Sequence, residues 1–143
     1  MPDVHEIDLP TCERLLRRGA FGRFGLTTPR GPEIIPVNYV VRDDAVVVRT
    51  GPATTLARHA EGAPLAFEVD AVDPEYWSGF SVVARGVGEV GEPAKSGSGT
   101  PTARPWAGGD RSCEVRLRWT ELTGRRVGRR GDLESLLQFG RAL

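Results

Sequence analysis

Short segments with β-strand character recur along this chain, and turn signals rich in Gly, Pro or Asp separate most of them. Each segment either alternates apolar with polar residues or is largely apolar, which is typical of strands with one or both faces buried. The short connections favour antiparallel pairing of consecutive strands. The sequence therefore predicts six mostly antiparallel strands, at residues 20–28, 33–41, 45–50, 64–70, 80–90 and 112–122.

Glycines inside the first and fifth segments indicate that the predicted sheet is strongly curved. Gly22 and Gly25 lie in the first segment, and Gly86 and Gly88 lie in the fifth. Glycine within a strand marks a bend, a bulge or the close approach of another backbone. Because closure removes exposed strand edges, curved strands in this number favour a small closed or nearly closed barrel.

Helical patterns flank the strands and are all short. Residues 8–19 form an amphipathic pattern that begins at a capping Asp8 and stops at Gly19, a second short helix is predicted at residues 54–62, and a weak one near the C-terminus. At 143 residues the chain has the usual size of one domain. We therefore predict one mainly β (α+β) domain over residues 1–143, with a flexible Gly-, Pro- and Ser-rich loop at residues 91–110.

The balance of charges limits the classes of partner. Lys and Arg together number 19, as do Asp and Glu, so no net positive charge attracts nucleic acid or an acidic membrane. The first residues do not form a signal-peptide pattern, and no apolar stretch reaches the length that spans a bilayer. We expect a cytoplasmic protein that binds a small molecule, with neither nucleic acid nor membrane as a partner.

Motifs that would assign an activity directly are missing or misplaced. The run "GVGEVG" at residues 86–91 matches the dinucleotide-binding fingerprint, but it lies within a strand and no helix begins there. Two histidines and two cysteines are widely spaced and form no recognisable metal-binding set. The sequence therefore predicts no metal site and leaves the catalytic residues unknown.

One stretch combines several features that suit a phosphate group. Arg49 stands near the end of an apolar strand, and the run "TGPATT" that follows supplies hydroxyls and main-chain amides ahead of a helix. Guanidinium, hydroxyl and amide donors together suit a phosphate monoester. We interpret Arg49, Thr50, Thr54 and Thr55 as a candidate phosphate site, with a solvated surface arginine as the alternative.

The order of these segments resembles the small pyridoxamine 5′-phosphate oxidase-like proteins. The resemblance covers residues 9–126 and is strongest at "PVNYVV", "VVRT" and "SGFSVVARG", with the late "RPWAGG" and "VRLRWTELTGRRV" following in order. It implies a six-stranded split β-barrel that forms a homodimer, with flavin mononucleotide (FMN) in the groove between the two protomers.

The resemblance also implies roles for individual residues. The strand from Pro36 to Tyr39 would run along the polar edge of the flavin ring, with Asn38 and the main chain of Val37 and Tyr39 as hydrogen-bonding groups. Trp106 resembles a late aromatic residue that closes over the cofactor, with an ordinary anchor for its loop as the alternative. The implied cofactor-binding residues are Pro36, Val37, Asn38, Tyr39, Arg49, Thr50, Thr54, Thr55 and Trp106.

The chain departs from the family pattern at one position. Thr55 stands where the family usually has a lysine, which removes a cation from the implied phosphate site. Deazaflavin and haem therefore stay open as alternatives to FMN. The resemblance implies an oxidoreductase whose redox chemistry is carried by the flavin; the alternative is a non-catalytic protein that binds or senses a flavin, a deazaflavin or haem.

Overall fold

The computed structural model describes residues 3–94, 103, 105, 108–128 and 133–141, which form eight strands and three helices. The strands are β1 (Val4–Glu6), β2 (Phe21–Thr28), β3 (Gly31–Asn38), β4 (Val40–Arg42), β5 (Ala45–Thr50), β6 (Pro64–Asp73), β7 (Ser78–Gly91) and β8 (Cys113–Val127). The helices are α1 (Leu9–Arg18), α2 (Thr55–His59) and α3 (Leu133–Arg141).

The strands form one antiparallel sheet that curls into a split barrel. Seven strands follow the order β3-β2-β6-β7-β8-β5-β4, and β1 pairs with β8 beside this path. The two ends of the order, β3 and β4, are separated in the chain by Tyr39 alone, so the sheet must bend round until its edges approach each other. The predicted mainly β, antiparallel split-barrel fold is confirmed.

The prediction of six strands is wrong in number for two local reasons. The short strand β1 has no alternating pattern long enough to reveal it, and it forms only because it pairs with the end of β8. The predicted strand at residues 33–41 is divided into β3 and β4, which hydrogen-bond to different neighbours. The break at Tyr39 also shapes the pocket described below.

The core fills the space between the curled sheet and α1. Alternate residues of each strand point inward, and Phe24 and Phe67 from the neighbouring strands β2 and β6 are fully buried with ring centroids 4.9 Å apart. Helix α1 adds Cys12, Leu15 and Leu16, which share one face because they are three to four residues apart. The predicted start of this helix is correct, since the Asp8 carboxylate accepts a hydrogen bond from the Thr11 N–H at 2.9 Å.

The longest strand pair, β7 with β8, contains the curvature that its glycines predict. The register between them shifts between Arg85 and Gly86, and a Cβ at Gly86 would lie 2.2 Å from the Arg118 carbonyl oxygen. The absence of a side chain thus lets the two backbones approach at the bulge.

Within the described ranges, no helix is both long and apolar enough to cross a membrane. Most of the loop predicted at residues 91–110, including Trp106, lies outside those ranges. Its described residues include Gly91, which ends β7, and Ala103, which is buried.

Candidate functional site

A pocket of about 340 Å³ opens between β3, the end of β5 and the start of α2. Its volume is at the lower end of the range for small-molecule sites. The lining residues are Ile35, Pro36, Val37, Asn38, Arg49, Thr50, Thr54, Thr55, Leu56, Pro105 and Arg111.

The pocket is the split in the barrel. Val40 of β4 pairs with Val47 of β5, and the same register continued by two residues would place Asn38 opposite Arg49. Instead, Asn38 pairs with Phe21 of β2. The chain therefore changes partner between β3 and β4, and the pocket lies where β3 would have paired with β5.

Tyr39 is the residue at which the chain changes partner. Its N–H donates to the Ala20 carbonyl at 3.1 Å, and its hydroxyl donates to the Leu16 carbonyl at 2.5 Å. The ring is buried and packs edge-on against Phe67, with centroids 4.7 Å apart. These contacts hold the end of β3 against β2 and α1. The side chain of Tyr39 is therefore in the core and its N–H is already bonded, so its predicted place along the cofactor is left to its carbonyl and stays a prediction.

The register of β3 also determines which main-chain groups face the pocket. In an antiparallel pair, hydrogen-bonded and non-hydrogen-bonded positions alternate, and the bond from Tyr39 to Ala20 fixes that alternation. Asn38 and Pro36 then direct their main-chain polar groups away from β2, consistent with the lack of an N–H in proline. The main chain of Val37, which was expected to face the cofactor, instead faces β2.

Arg49 of β5 is hydrogen-bonded to the segment around Arg111, which also lines the pocket. Its Nε and Nη2 atoms donate to the Arg111 carbonyl at 3.2 and 2.9 Å. Close by, a Cβ on Gly51 would lie 2.7 Å from the Asp110 carbonyl oxygen. A side chain at position 51 would push this segment away, so the glycine and the arginine together keep Arg111 beside the pocket.

Two of the three threonine hydroxyls near Arg49 build the turn before α2. Thr50 and Thr54 share a hydrogen bond of 2.8 Å between their Oγ1 atoms. The Thr54 hydroxyl also donates to the Gly51 carbonyl at 2.9 Å and accepts from the Ala57 N–H at 3.3 Å. Thr55 differs, because its hydroxyl makes no hydrogen bond to any described residue while its side chain lines the pocket.

A buried carboxylate supports the wall behind Arg49. Glu114 pairs with Arg49 in the ladder between β5 and β8 and is fully buried. It accepts hydrogen bonds from Arg42, from Arg116 at 2.9 Å and from the Ala94 N–H at 3.3 Å. Burial alone would raise the pKa of Glu114, but these donors outweigh it and hold the pKa below its ordinary value. The carboxylate is thus ionised and ties residue 94 to β8.

The lining of the pocket suits a flat molecule that carries an anionic group. Arg49 and Arg111 are the charged residues among the described lining, which contains no Asp, Glu, His or Cys. Ile35, Val37 and Leu56 add apolar surface to the lining. Guanidinium groups bind phosphate through several parallel hydrogen bonds. Among the described lining residues no side chain is suited to act as a general acid or base near neutral pH.

The structure brings together most of the residues predicted from the sequence. Those that line the pocket are Pro36, Val37, Asn38, Arg49, Thr50, Thr54 and Thr55. Tyr39 lies apart from it, and Trp106 is outside the described residues. Sequence reasoning missed Arg111, which lies about sixty residues from Arg49. Thr50 pairs with Cys113 in the ladder between β5 and β8, and this register brings Arg111 beside the turn. Knowledge of that register would have been needed to predict Arg111 as a site residue.

Comparison with known protein families identifies one family that matches most of this chain. A family model described as pyridoxamine 5′-phosphate oxidase matches residues 8–126. The uncharacterized protein Rv0080 of Mycobacterium tuberculosis is 30% identical in an alignment of 131 residues that covers 87% of this chain and 86% of that protein.

Solved structures show the same fold. An FAD binding protein from Mycobacterium smegmatis superposes with a TM-score of 0.66 at 30% identity, covering 87% of this chain and 98% of the other. An FAD-binding protein from Mesorhizobium loti has a TM-score of 0.68 at 16% identity, covering 90% of this chain and all of the other. At that lower identity the likeness concerns the fold alone.

Proposed function

The chain belongs to the pyridoxamine 5′-phosphate oxidase family, and from this premise we propose that it is a flavin-binding oxidoreductase that uses FMN. The observation that carries the proposal is the split in the barrel, where Arg49 and Arg111 line the same pocket as the apolar residues Ile35, Val37 and Leu56. The likeness to the FAD binding protein of M. smegmatis supports a flavin. The single cationic corner at Arg49 and Arg111 suits the one phosphate of FMN.

The residues of the pocket fit the parts of the cofactor. The guanidinium of Arg49 would hold the phosphate, and the hydroxyl of Thr55 would add a neutral donor. The outward main-chain groups of Pro36 and Asn38 would meet the polar edge of the ring, and Ile35 and Val37 would pack against its apolar part. When bound, the flavin supplies hydride or electron transfer. The protein fixes the orientation of the flavin, shields it from water and provides the charged groups around it.

A homodimer is part of the proposal. The pocket is open on one side, and beside it the edge strand β3 exposes Ile34 to 74% together with Pro32 and Pro36. An exposed apolar strand edge is a surface that a second chain covers readily. We propose that a second copy covers this edge and completes the cofactor groove. Ile34→Glu should then convert the dimer to a monomer in light-scattering measurements and weaken flavin binding, whereas a wild-type monomer would contradict the proposal.

A second candidate function is a non-catalytic protein that binds or senses a flavin, a deazaflavin or haem. The absence of an acid or base among the described lining residues favours it as the alternative. The two candidates differ in turnover and not in binding.

The purified protein, as isolated and after addition of FMN, FAD, riboflavin, a deazaflavin or haem, should be examined by absorbance and fluorescence. We expect FMN to bind and to be reduced by a nicotinamide donor and reoxidised by oxygen over many cycles. Binding without turnover would favour the non-catalytic candidate. Tighter binding of FAD, deazaflavin or haem than of FMN would mean that the tighter ligand, and not FMN, is the cofactor. Failure to bind any of these ligands would contradict both candidates.

A further inference from the structure

The hairpin of β6 and β7 ends in a turn that presents two aromatic side chains to solvent. In this turn, which we call the aromatic turn (residues 73–77), Tyr76 and Trp77 are exposed to 72% and 73%. The Asp73 carboxylate accepts hydrogen bonds from two main-chain N–H groups of the turn, at 3.1 and 3.4 Å. Gly128 lies against the same turn, since a Cβ there would be 2.7 Å from the Trp77 carbonyl oxygen. The turn therefore has a defined conformation that keeps both rings exposed.

The backbone of Trp77 is unfavourable for the residue that it carries. Its φ is 51°, in the left-handed region that glycine and asparagine adopt more readily than a bulky residue. Its ring is mostly in water and so adds little to the stability of its own chain. Strained residues cluster at functional sites, and tryptophan and tyrosine are enriched among the residues that dominate binding at protein interfaces. The aromatic turn thus has the character of a contact surface.

A groove of about 550 Å³ lies towards the other end of the same two strands. One row of paired residues crosses it: Ile34 pairs with Gly25, Gly25 with Ala66, and Ala66 with Arg85. All four line the groove. Because paired residues place their side chains on the same face of a sheet, the two small residues in the middle of the row leave a depression between the larger ones at its ends.

The glycine in this row is not required by the fold of a single chain. Among the described residues, the nearest atom to a Cβ at Gly25 would be the Ala66 Cβ, at 3.9 Å, which is an ordinary contact distance. The φ of Gly25 lies outside the left-handed region. Glycine within a strand weakens it, so a glycine at this position fits a groove that is kept open for another molecule.

The aromatic turn and the groove match in charge. Asp73 and Glu75 make the turn acidic, and it contains no basic residue. The guanidinium of Arg85 is exposed and bonds, within the described residues, to the Thr123 hydroxyl at 3.3 Å. Glu33, the acidic residue of the groove lining, accepts a hydrogen bond from a threonine hydroxyl of β2 at 3.4 Å. A guanidinium can stack on an aromatic ring and pair with a carboxylate, and the turn offers both.

The placement of the two features lets two copies of the chain bind each other through both. The ladder of β6 with β7 runs from the pair of Pro64 and Val87, beside the groove, to the pair of Asp73 and Ser78, at the aromatic turn, a length of about 30 Å. A two-fold axis across the middle of this ladder reverses its direction in the second copy. Each turn then lies over the groove of the other copy, which is the self-complementary arrangement of a two-fold dimer.

We propose that the aromatic turn of each copy binds in the groove of the other, with Trp77 as the main contact. This inference rests on the proposed homodimer and adds the two elements that hold it together. Ile34 belongs both to the groove and to the exposed edge of β3. The turn of one copy therefore adjoins the strand that lines the flavin pocket of the other.

The first test measures the dissociation constant of the dimer by analytical ultracentrifugation over a dilution series. Trp77→Gly removes the ring and suits the backbone, and should weaken the dimer by about tenfold to a hundredfold while the variant stays folded by circular dichroism. Gly25→Val fills the groove with a residue that strands favour and should weaken the dimer to a similar extent. Trp77→Phe, which keeps an aromatic ring, and Gly25→Ala, which adds a single methyl group, are the matched controls and should each have a smaller effect.

Mixing the two variants tests whether the turn and the groove contact each other. A homodimer of either variant has no intact pair of turn and groove. A mixed dimer has one, because the Gly25→Val chain supplies an intact turn and the Trp77→Gly chain supplies an intact groove. The mixed dimer should therefore form in preference to both homodimers, as measured by native mass spectrometry of the two chains, whose masses differ.

The outcomes separate this interface from the proposed homodimer. A wild-type dimer whose dissociation constant is unchanged in Trp77→Gly or in Gly25→Val would overturn the interface and leave the homodimer and its flavin in place. A random mixture of the three dimers would overturn the contact between turn and groove. A wild-type chain that stays monomeric would contradict the proposed homodimer itself.

Discussion

Two clusters of arginine and carboxylate on this sheet differ in how many charges of each sign they contain. In the first, which we call the β2–β6 cluster, Glu68 and Asp70 share the single arginine Arg23, at 2.6 and 3.4 Å. In the second, which we call the β8 cluster, Glu114 is bonded to both Arg42 and Arg116, and the half-exposed Glu89 also pairs with Arg116, at 3.5 Å. The first is partly exposed, whereas Glu114 is fully buried.

The protonation of each glutamate follows from burial together with the charges and donors around it. Burial and the neighbouring Asp70 raise the pKa of Glu68 to about 7, although Arg23 lies within hydrogen-bonding distance. For the more deeply buried Glu114, the two arginines and the Ala94 N–H overcome burial and lower the pKa. The comparison teaches that two arginines and an N–H donor keep a buried carboxylate ionised, whereas burial together with a second carboxylate raises the pKa of a glutamate although one arginine is bonded to it.

Removing the anchor should have the largest effect. Glu114→Gln removes an ionised partner from Arg42 and Arg116 in a poorly solvated place, although Arg116 keeps its pairing with Glu89, and it weakens the bond to Ala94. We expect the free energy of unfolding at pH 7 to fall by about 3 kcal/mol, as for one partner removed from a buried ion pair. Urea denaturation measures this loss.

The control is Glu121→Gln, at an exposed position of the same strand, which should change stability by less than about 0.5 kcal/mol.

Because the pKa of Glu114 is lowered on folding, the stability that Glu114 gives is present above its ordinary pKa of 4.5 and is lost as the pH falls through the folded value. The difference between wild type and Glu114→Gln should therefore shrink in acid. A difference that stays constant from pH 7 to acid would contradict the ionised anchor.

The stability that the β2–β6 cluster gives should depend on pH with the opposite sign. Because the pKa of Glu68 is raised on folding, the stability it gives is complete below 4.5 and is lost as the pH rises through about 7. Allowing for solvent screening at a side chain that is about a third exposed, this loss is about 1–2 kcal/mol. Glu68→Gln should remove it, so that the variant is about 1 kcal/mol more stable than wild type at pH 8.

Urea denaturation of both proteins at pH 5 and pH 8 distinguishes the two possible signs. Near-equal stability at pH 5 and a more stable variant at pH 8 would match the excess of carboxylate in this cluster. A variant that is less stable at pH 8 would mean that the attraction of Arg23 for Glu68 exceeds the combined effect of burial and Asp70.

The fold was predictable from the sequence because its signals are local. Strands with period two, a capped helix at Asp8 and glycines at the bulge near Gly86 each act within a few residues. The break at Tyr39 could not be predicted in the same way, since "NYVV" continues an apolar run. The contacts that divide β3 from β4 come from Leu16 and Ala20, about twenty residues earlier in the chain.

The candidate site was predictable only where it is contiguous. Arg49 and the threonines that follow it lie in one stretch, but Arg111 reaches them through the register of β5 with β8. Glu114 gave a misleading signal, since alternation places it on the polar face of β8. It is buried because the segment after β7 packs against it through Ala94, and Ala103 of the same segment is also buried. The composition of that segment predicts only a loop.

The smallest predicted effect tests the charge count within the β2–β6 cluster itself. Asp70→Asn keeps the shape of the side chain, removes one negative charge and leaves Glu68 as the only carboxylate bonded to Arg23. The pKa of Glu68, measured by NMR titration of its carboxyl carbon, should fall from about 7 but stay above its ordinary value, because burial is unchanged. Stability at neutral pH should rise by less than about 1 kcal/mol, since the side chains are partly exposed. A pKa that stays near 7 would mean that burial sets the protonation of Glu68 by itself, and Glu114 would then owe its low pKa to hydrogen-bond geometry and not to the number of arginines.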